Sequence, residues 1–291
     1  MYSFQWTVFS EQLSVDSFQW TVFSGQFSVN SKQPLETYNI KQETNNPSTA
    51  LRAKPHKLIT YNLINSKKNM LDIIYEDNHL IVINKPVGKL VQGDRTGDEP
   101  LSETVKLYIK KKYNKPGNVY LGVVHRLDRP TSGVLLFSKT SKALSRLNKQ
   151  FSQRETQKTY WALVFNKPDK DSDRLIHYLK RNHKQNKSYA YIKEIPNSKK
   201  AVLNYKLIKE LNNYYLLEIN LETGRHHQIR AQLAFIGCPI KGDLKYGAKR
   251  SNADGGIHLH AKTLQIYHPV KKTPINFEAS LPNDNLWQAC L

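Results

Sequence analysis

Apolar and polar positions change rhythm near residue 71. Downstream of it, short runs rich in Ile, Val, Leu and Tyr are separated by turn residues. Residues 71–77 and 80–86 predict two strands, the second stopped by Pro86. Residues 101–113 predict a helix with Leu101, Val105 and Tyr108 on one face and lysines opposite. Short buried strands follow at 119–124 and 134–137. Leu144, Leu147 and Phe151 recur at i, i+3 and i+7 and predict a helix over 142–151. Strands are expected at 159–165, 201–208, 214–220 and 259–267. Ile229, Leu233 and Ile236 mark another helix, which Gly237 and Pro239 end.

Strands outnumber helices and their connections are irregular. The pattern therefore predicts an α+β fold around a mixed, mainly antiparallel sheet. No glycine-rich nucleotide-binding loop follows a strand.

Upstream, Ser3-Phe4-Gln5-Trp6-Thr7-Val8-Phe9-Ser10 recurs as Ser17-Phe18-Gln19-Trp20-Thr21-Val22-Phe23-Ser24, a period of 14. Two copies are too few for a repeat fold. Trp, Val and Phe favour strands, so a partner-binding or aggregation-prone β segment is one reading. The other is an extension created by an upstream start or a duplicated element. Residues 30–56 carry few apolar anchors. Residues 1–56 are accordingly read as a disordered or spurious extension, 57–70 as a linker, and 71–291 as the folded domain in which any catalytic residues must lie.

The chain of 291 residues carries a formal charge of +20, which points to an acidic partner such as nucleic acid. Within residues 1–50 two lysines stand against four acids, so the excess lies downstream. The two cysteines, Cys238 and Cys290, are far apart, which argues against a disulfide scaffold and suits a reducing compartment. No apolar run reaches the length of a membrane span, and the N-terminus lacks a secretory pattern. A cytoplasmic monomer is expected.

Two clusters could carry chemistry. In His125-Arg126-Leu127-Asp128-Arg129-Pro130-Thr131-Ser132-Gly133, alternation places Arg126 and Asp128 on one side and His125 and Leu127 on the other. Arg129-Pro130 then turns the chain and Thr131 and Ser132 tie it down. One carboxylate among cations suits nucleophilic or base chemistry on a polyanion, although an isolated Asp more often caps the turn or makes a surface ion pair. In Thr223-Gly224-Arg225-His226-His227-Gln228-Ile229-Arg230, Arg225 falls in the first helical turn, with His227 and Arg230 on one face. Arg230 borders the apolar stripe, so it needs a carboxylate partner, and Asp128 is a candidate. The alternative is an ordinary basic helix end facing RNA. The paired histidines lack accompanying ligands, so no metal site is expected. Tyr160, after Lys158 on a strand, is either a half-buried sheet aromatic or a platform for an unpaired base.

Together these stretches resemble the RluA family of pseudouridine synthases. The first cluster is similar to its HRLDxxTSG signature. Gly224–Arg230, with Gly237-Cys238-Pro239-Ile240 and Gly242-Asp243-Leu244-Lys245-Tyr246-Gly247, is similar to its second conserved segment. Tyr75-Glu76-Asp77, Asn84-Lys85-Pro86-Val87-Gly88 and His258-Leu259-His260-Ala261 resemble its outer motifs, so the likeness spans about residues 71–282.

The resemblance implies a central cleft and a reaction in which a uridine of RNA is detached at N1, rotated and rejoined through C5. It implies that Asp128 is the essential aspartate, that Tyr160 packs on the target base, and that Arg230 pairs with the aspartate. Arg126 is implied to hold the place of the flipped-out nucleotide, and Arg129, Arg225 and His227 of the two basic clusters are expected as further RNA contacts. No cofactor is required by such a reaction. Ribosomal RNA or tRNA is the expected partner, although residues 1–70 lack the small RNA-binding domain common in that family. A non-catalytic RNA-binding or ribosome-assembly protein is the alternative, and a histidine-dependent nuclease is a third reading.

Overall fold

The structure, a computed structural model, describes residues 71–93 and 97–291, with the backbone of four short strands between residues 3 and 30. The chain divides into two compact units, Met1–Ile64 and Asn65–Leu291. In the first, β1 (Ser3–Gln5), β2 (Leu13–Val15), β3 (Phe18–Phe23) and β4 (Gln26–Asn30) pair antiparallel in the order β1-β4-β3-β2. β3 falls inside the second copy of the repeat. Of the disordered stretch expected at 30–56 only Asn30 is described, as the end of β4, and the rest of it and the linker expected at 57–70 lie outside the described residues.

The second unit is built on an eleven-stranded sheet. Its first half holds β5 (Ile73–Glu76), β6 (Leu80–Lys85), β7 (Gly122–Val123) and β8 (Ser132–Ser138). Its second half holds β9 (Gln157–Val164), β10 (Ser172–Asn182), β11 (Lys187–Tyr191), β12 (Lys199–Glu210) and β13 (Tyr215–Leu221). β14 (Leu259–Tyr267) joins the halves, and β15 (Pro274–Glu278) hangs on it. The order β11-β10-β12-β13-β9-β14-β8-β6-β5 is antiparallel except where β14 meets β8. The sheet is mixed and mainly antiparallel, as the pattern predicted.

Alternation explains why the first half is buried on both faces. Ile81, Ile83, Leu135 and Phe137 enter one apolar cluster, while Leu80, Val82, Val134 and Leu136 enter another on the opposite side. Helix α1 (Leu101–Lys112) covers the first through Leu101, Val105 and Ile109. Helix α2 (Ser141–Gln153) covers the second through Leu147, and the Thr140 side chain caps its first turn by accepting from the Ala143 N–H. Each such aliphatic side chain contributes about 1.5–3 kcal/mol on burial. The strand expected at 119–124 shrinks to two residues, because only Gly122 and Val123 find partners on β8.

The parallel joint is very close. Gly133 lies at φ +113°, opposite Ala261, and a Cβ there would collide with the Ala261 backbone. Only glycine lets β8 approach β14 in this way. Among the described residues no helix is long and apolar enough to cross a membrane.

Candidate active site

The loop 125–131 leaves the core just before β8, at the middle of the sheet. His125 and Leu127 point inward, and Arg126 is exposed, as alternation required. The His125 Nε2 accepts from the Leu136 N–H at 3.0 Å and its ring stacks on Phe151. Burial depresses its pKa to about 3, so it is neutral and serves as a strut for the loop. The turn closes with the Thr131 N–H donating to the Asp128 carbonyl at 3.0 Å. Beneath it lies Lys85, fully buried at the end of β6. Its Nζ donates to the carbonyls of Pro86 (3.1 Å), Arg129 (3.1 Å) and Thr131 (2.7 Å). Burial pulls its pKa down to about 7, against the opposing pull of Asp128. Sequence reasoning gave Lys85 no role, although the stretch around it was quoted for the resemblance.

Asp128 is thus presented on a braced turn with its side chain 30% exposed. Its Oδ2 accepts from Arg230 Nη1 at 3.0 Å, which realises the pairing the sequence suggested. Its Oδ1 has no hydrogen-bond partner among the described residues. The principal partner of Arg230 is a different acid. Arg230 Nε and Nη2 donate to both oxygens of Asp243, at 2.7 and 2.8 Å, in a bidentate pair with Asp243 only 1% exposed. Burial opposes the charge on Arg230, but the two carboxylates more than offset it and raise its pKa. The guanidinium also lies 5.0 Å from the Tyr246 ring centroid. Asp243 and Tyr246 were visible only as part of a quoted motif, because a pairing across thirteen residues has no local signature.

Arg230 stands in helix α3 (Gln228–Phe235). That helix begins later than its spacing suggested, with His227 as N-cap in the left-handed region at φ 53°. The Gln228 Oε1 accepts from Thr223 Oγ1 (2.8 Å) and the Arg225 N–H (3.0 Å), which folds residues 223–227 into a loop ahead of the helix. His227 is buried, not set on an RNA-facing surface. The Tyr246 hydroxyl accepts from the Ser188 N–H at 2.8 Å, which leaves its own proton for His227 Nδ1 at 3.0 Å. That network assigns the ring proton to Nε2, 3.6 Å from Asp128 Oδ2, a close polar contact longer than a hydrogen bond. Burial lowers the His227 pKa to about 3, so the imidazole is neutral.

Tyr160 lies on β9, almost buried, in register with Ile219 and Ala261. Burial raises its pKa, and the nearby Asp128 carboxylate raises it further, so the phenol keeps its proton. The remaining expected contacts diverge. Arg129 Nε donates to the Gly88 carbonyl at 3.0 Å, and its Nη1 lies 2.8 Å from Asp98. Arg225 Nε donates to the Lys200 carbonyl at 3.1 Å. Arg126 lines an open cavity of about 470 Å³ with Gln92, Tyr120 and both residues of β7. The structure therefore brings Asp128, Tyr160, Arg230 and His227 together and leaves Arg126, Arg129 and Arg225 around them.

Comparison with known proteins places the chain in a family. The family described as RNA pseudouridylate synthase matches residues 79–235. An uncharacterized RNA pseudouridine synthase of Bacillus subtilis is 33% identical over 217 residues, covering 74% of this chain and 70% of that protein. A ribosomal large subunit pseudouridine synthase C of Rickettsia bellii is 36% identical over 216 residues, covering 72% and 68%. A solved structure of human RNA pseudouridylate synthase domain containing 4 shares the fold, with a TM-score of 0.64 at 23% identity, covering 80% of this chain and 97% of that one. The chain belongs to the RNA pseudouridine synthase family. It is an isomerase that converts uridine in RNA to pseudouridine.

Proposed function

We propose that Asp128 is the carboxylate of this isomerisation and that ribosomal RNA is its substrate. The observation that carries the assignment is the charge arrangement. Two of the Arg230 N–H groups used here are committed to Asp243, so the guanidinium is fixed before it meets Asp128. A preorganised cation of this kind orients the carboxylate without reorganisation during the reaction. The Oδ1 left without a partner is the atom that faces the reacting nucleotide. The C1′–N1 bond breaks, the uracil rotates, C1′–C5 forms, and the proton leaving C5 is balanced by one gained at N1. Asp128 either attacks the sugar or supports a glycal-type intermediate. Tyr160, protonated and apolar-faced, packs on the uracil. Arg126 fills the gap left by the extruded nucleotide, whose unstacking costs a few kcal/mol, and Arg129 and Arg225 lie where phosphates pass.

The ribosomal substrate rests on relatives named for the large ribosomal subunit, with tRNA as the second candidate from the sequence. We place catalysis in residues 71–291 and expect a cytoplasmic monomer. The test is tritium release from ribosomal RNA labelled at uridine C5. Asp128→Ala should lose all release while binding the same RNA as tightly as wild type, and Arg230→Ala should lower turnover by orders of magnitude. Release by Asp128→Ala at the wild-type rate would refute the assignment. Release from tRNA but not from ribosomal RNA would correct the substrate.

A further inference from the structure

The hairpin formed by β10 and β11 lies at the edge of the sheet, and the sequence reading assigned it no element. Its two faces are unlike. The inner face carries Leu175, His177, Leu179 and Ser188, all buried. It is fastened to α3 and the active site, with His177 edge-on to Phe235 at 4.7 Å, Leu179 clustered with Ala231 and Tyr246, and the Ser188 N–H on the Tyr246 hydroxyl.

The outer face has no such cover among the described residues. Tyr191 is in register with Tyr178, Tyr189 with Lys180, and Lys187 with Asn182, so these residues share one side of the sheet. Lys200 of β12 continues the row opposite Tyr178. Tyr189 and Tyr191 are 38% and 37% exposed. They stand about 7 Å apart along the strand, far enough for each ring to take its own stacking partner. The Lys187 ammonium lies 5.3 Å from the Tyr189 ring and 5.1 Å from the Tyr246 ring, so the surface continues around the strand edge towards the site that holds Arg230. Between residues 174 and 200 the chain has eight lysines and arginines and a single acid, Glu194.

We propose that the outer face of the β10–β11 hairpin is a second RNA-binding surface, which takes an unpaired stretch of the substrate RNA with bases stacked on Tyr189 and Tyr191 and phosphates on the surrounding lysines. An exposed tyrosine row with interleaved cations fits a single strand better than a duplex, whose bases are already stacked. An acidic protein would satisfy the lysines but would leave the rings without planar partners. The proposal deepens the RNA-modifying activity by adding a contact remote from the target uridine, and it can fail independently of that activity.

The test uses a short labelled oligoadenylate, which offers no uridine to the catalytic pocket, with the full chain in a fluorescence anisotropy titration. Wild type should bind it, Tyr189→Ala/Tyr191→Ala should weaken binding about ten-fold or more, and Tyr189→Phe/Tyr191→Phe should stay close to wild type. Lys184→Glu, at the hairpin tip, should weaken it as well and flatten its salt dependence. Equal binding by wild type and the double alanine variant would overturn the proposal. So would absence of oligoadenylate binding by wild type, or a paired RNA duplex bound as tightly as the single strand. A change in oligomeric state on sedimentation, with RNA affinity unmoved, would reassign the face to self-association and likewise overturn it. Tritium release by wild type from labelled ribosomal RNA reports separately on the catalytic assignment.

Discussion

Replacing Asp243 with Asn separates the two acids that share Arg230. Asp243 is 1% exposed and accepts two charge-assisted hydrogen bonds, at 2.7 and 2.8 Å. An asparagine keeps one acceptor and aims an N–H at the guanidinium in place of the other. Removing one member of a buried ion pair costs about 3–5 kcal/mol. Asp128 holds Arg230 by one bond of 3.0 Å, from a side chain 30% exposed. The Asp128→Asn change leaves the bidentate pair intact, so its cost is about 1 kcal/mol or less. For a unit of this size each kcal/mol moves the midpoint by about 2–4 °C. Asp243→Asn should therefore melt roughly 10 °C below wild type and Asp128→Asn within a few degrees of it. Circular dichroism melts at neutral pH read both. Tritium release below the lower midpoint should be lost in Asp128→Asn and retained, at a reduced rate, in Asp243→Asn. Equal melting of the two variants would refute this division between structural and reacting carboxylates.

Gly133→Ala should destabilise the enzyme by about 3 kcal/mol or more, since it combines a left-handed backbone with a collision against Ala261; a urea midpoint near wild type would contradict the close approach of β8 and β14. Lys85 has a folded pKa of about 7 against about 10.4 in an unfolded chain, so unfolding takes up a proton between those values. The stability of wild type relative to Lys85→Met should therefore rise from pH 7 to pH 10, and parallel urea profiles would show that the ammonium is not buried as described. His125, His226, His227 and His260 are held neutral by burial, with folded values of about 3 to 4. Their unfolded value is about 6.5, so stability should fall as pH drops from 6.5 towards 4.5, and a flat urea profile across that window would count against four neutral imidazoles.

How far the sequence disclosed this protein depended on whether the signal was local. Alternation in residues 125–128 placed Arg126 and Asp128 opposite His125 and Leu127 because strand geometry needs no knowledge of partners. The strand at Leu259–Tyr267 has the expected bounds, and the helix expected over 142–151 begins one residue earlier and ends two later, for the same reason. The hairpin of β10 and β11 escaped because its outer face mixes tyrosines with lysines and its inner face includes His177 and Ser188, so neither face reads as apolar. Arg230 was matched to Asp128 but not to Asp243, and His227 was placed at the RNA surface. Both outcomes depend on residues brought together across the fold, among them Tyr246 and Ser188. Lys85 looked like an ordinary strand-end lysine, and only the loop above it explains its burial.

The parallel joint between β8 and β14 also governs when the enzyme becomes competent. Ser132 and His260, which meet there through Oγ and Nδ1 at 2.9 Å, are separated by 128 positions. The turn bearing Asp128 runs directly into this joint, so its outer support arrives only once the chain has been synthesised past Ala261. Contacts of such long range form late because the intervening loop must close first. A nascent chain that ends before Leu259 has every proposed reacting side chain and the Lys85 and His125 braces, but lacks the β14 side of the seat for the turn that carries Asp128, which makes premature chemistry on nearby RNA a matter of translation timing as much as of folding.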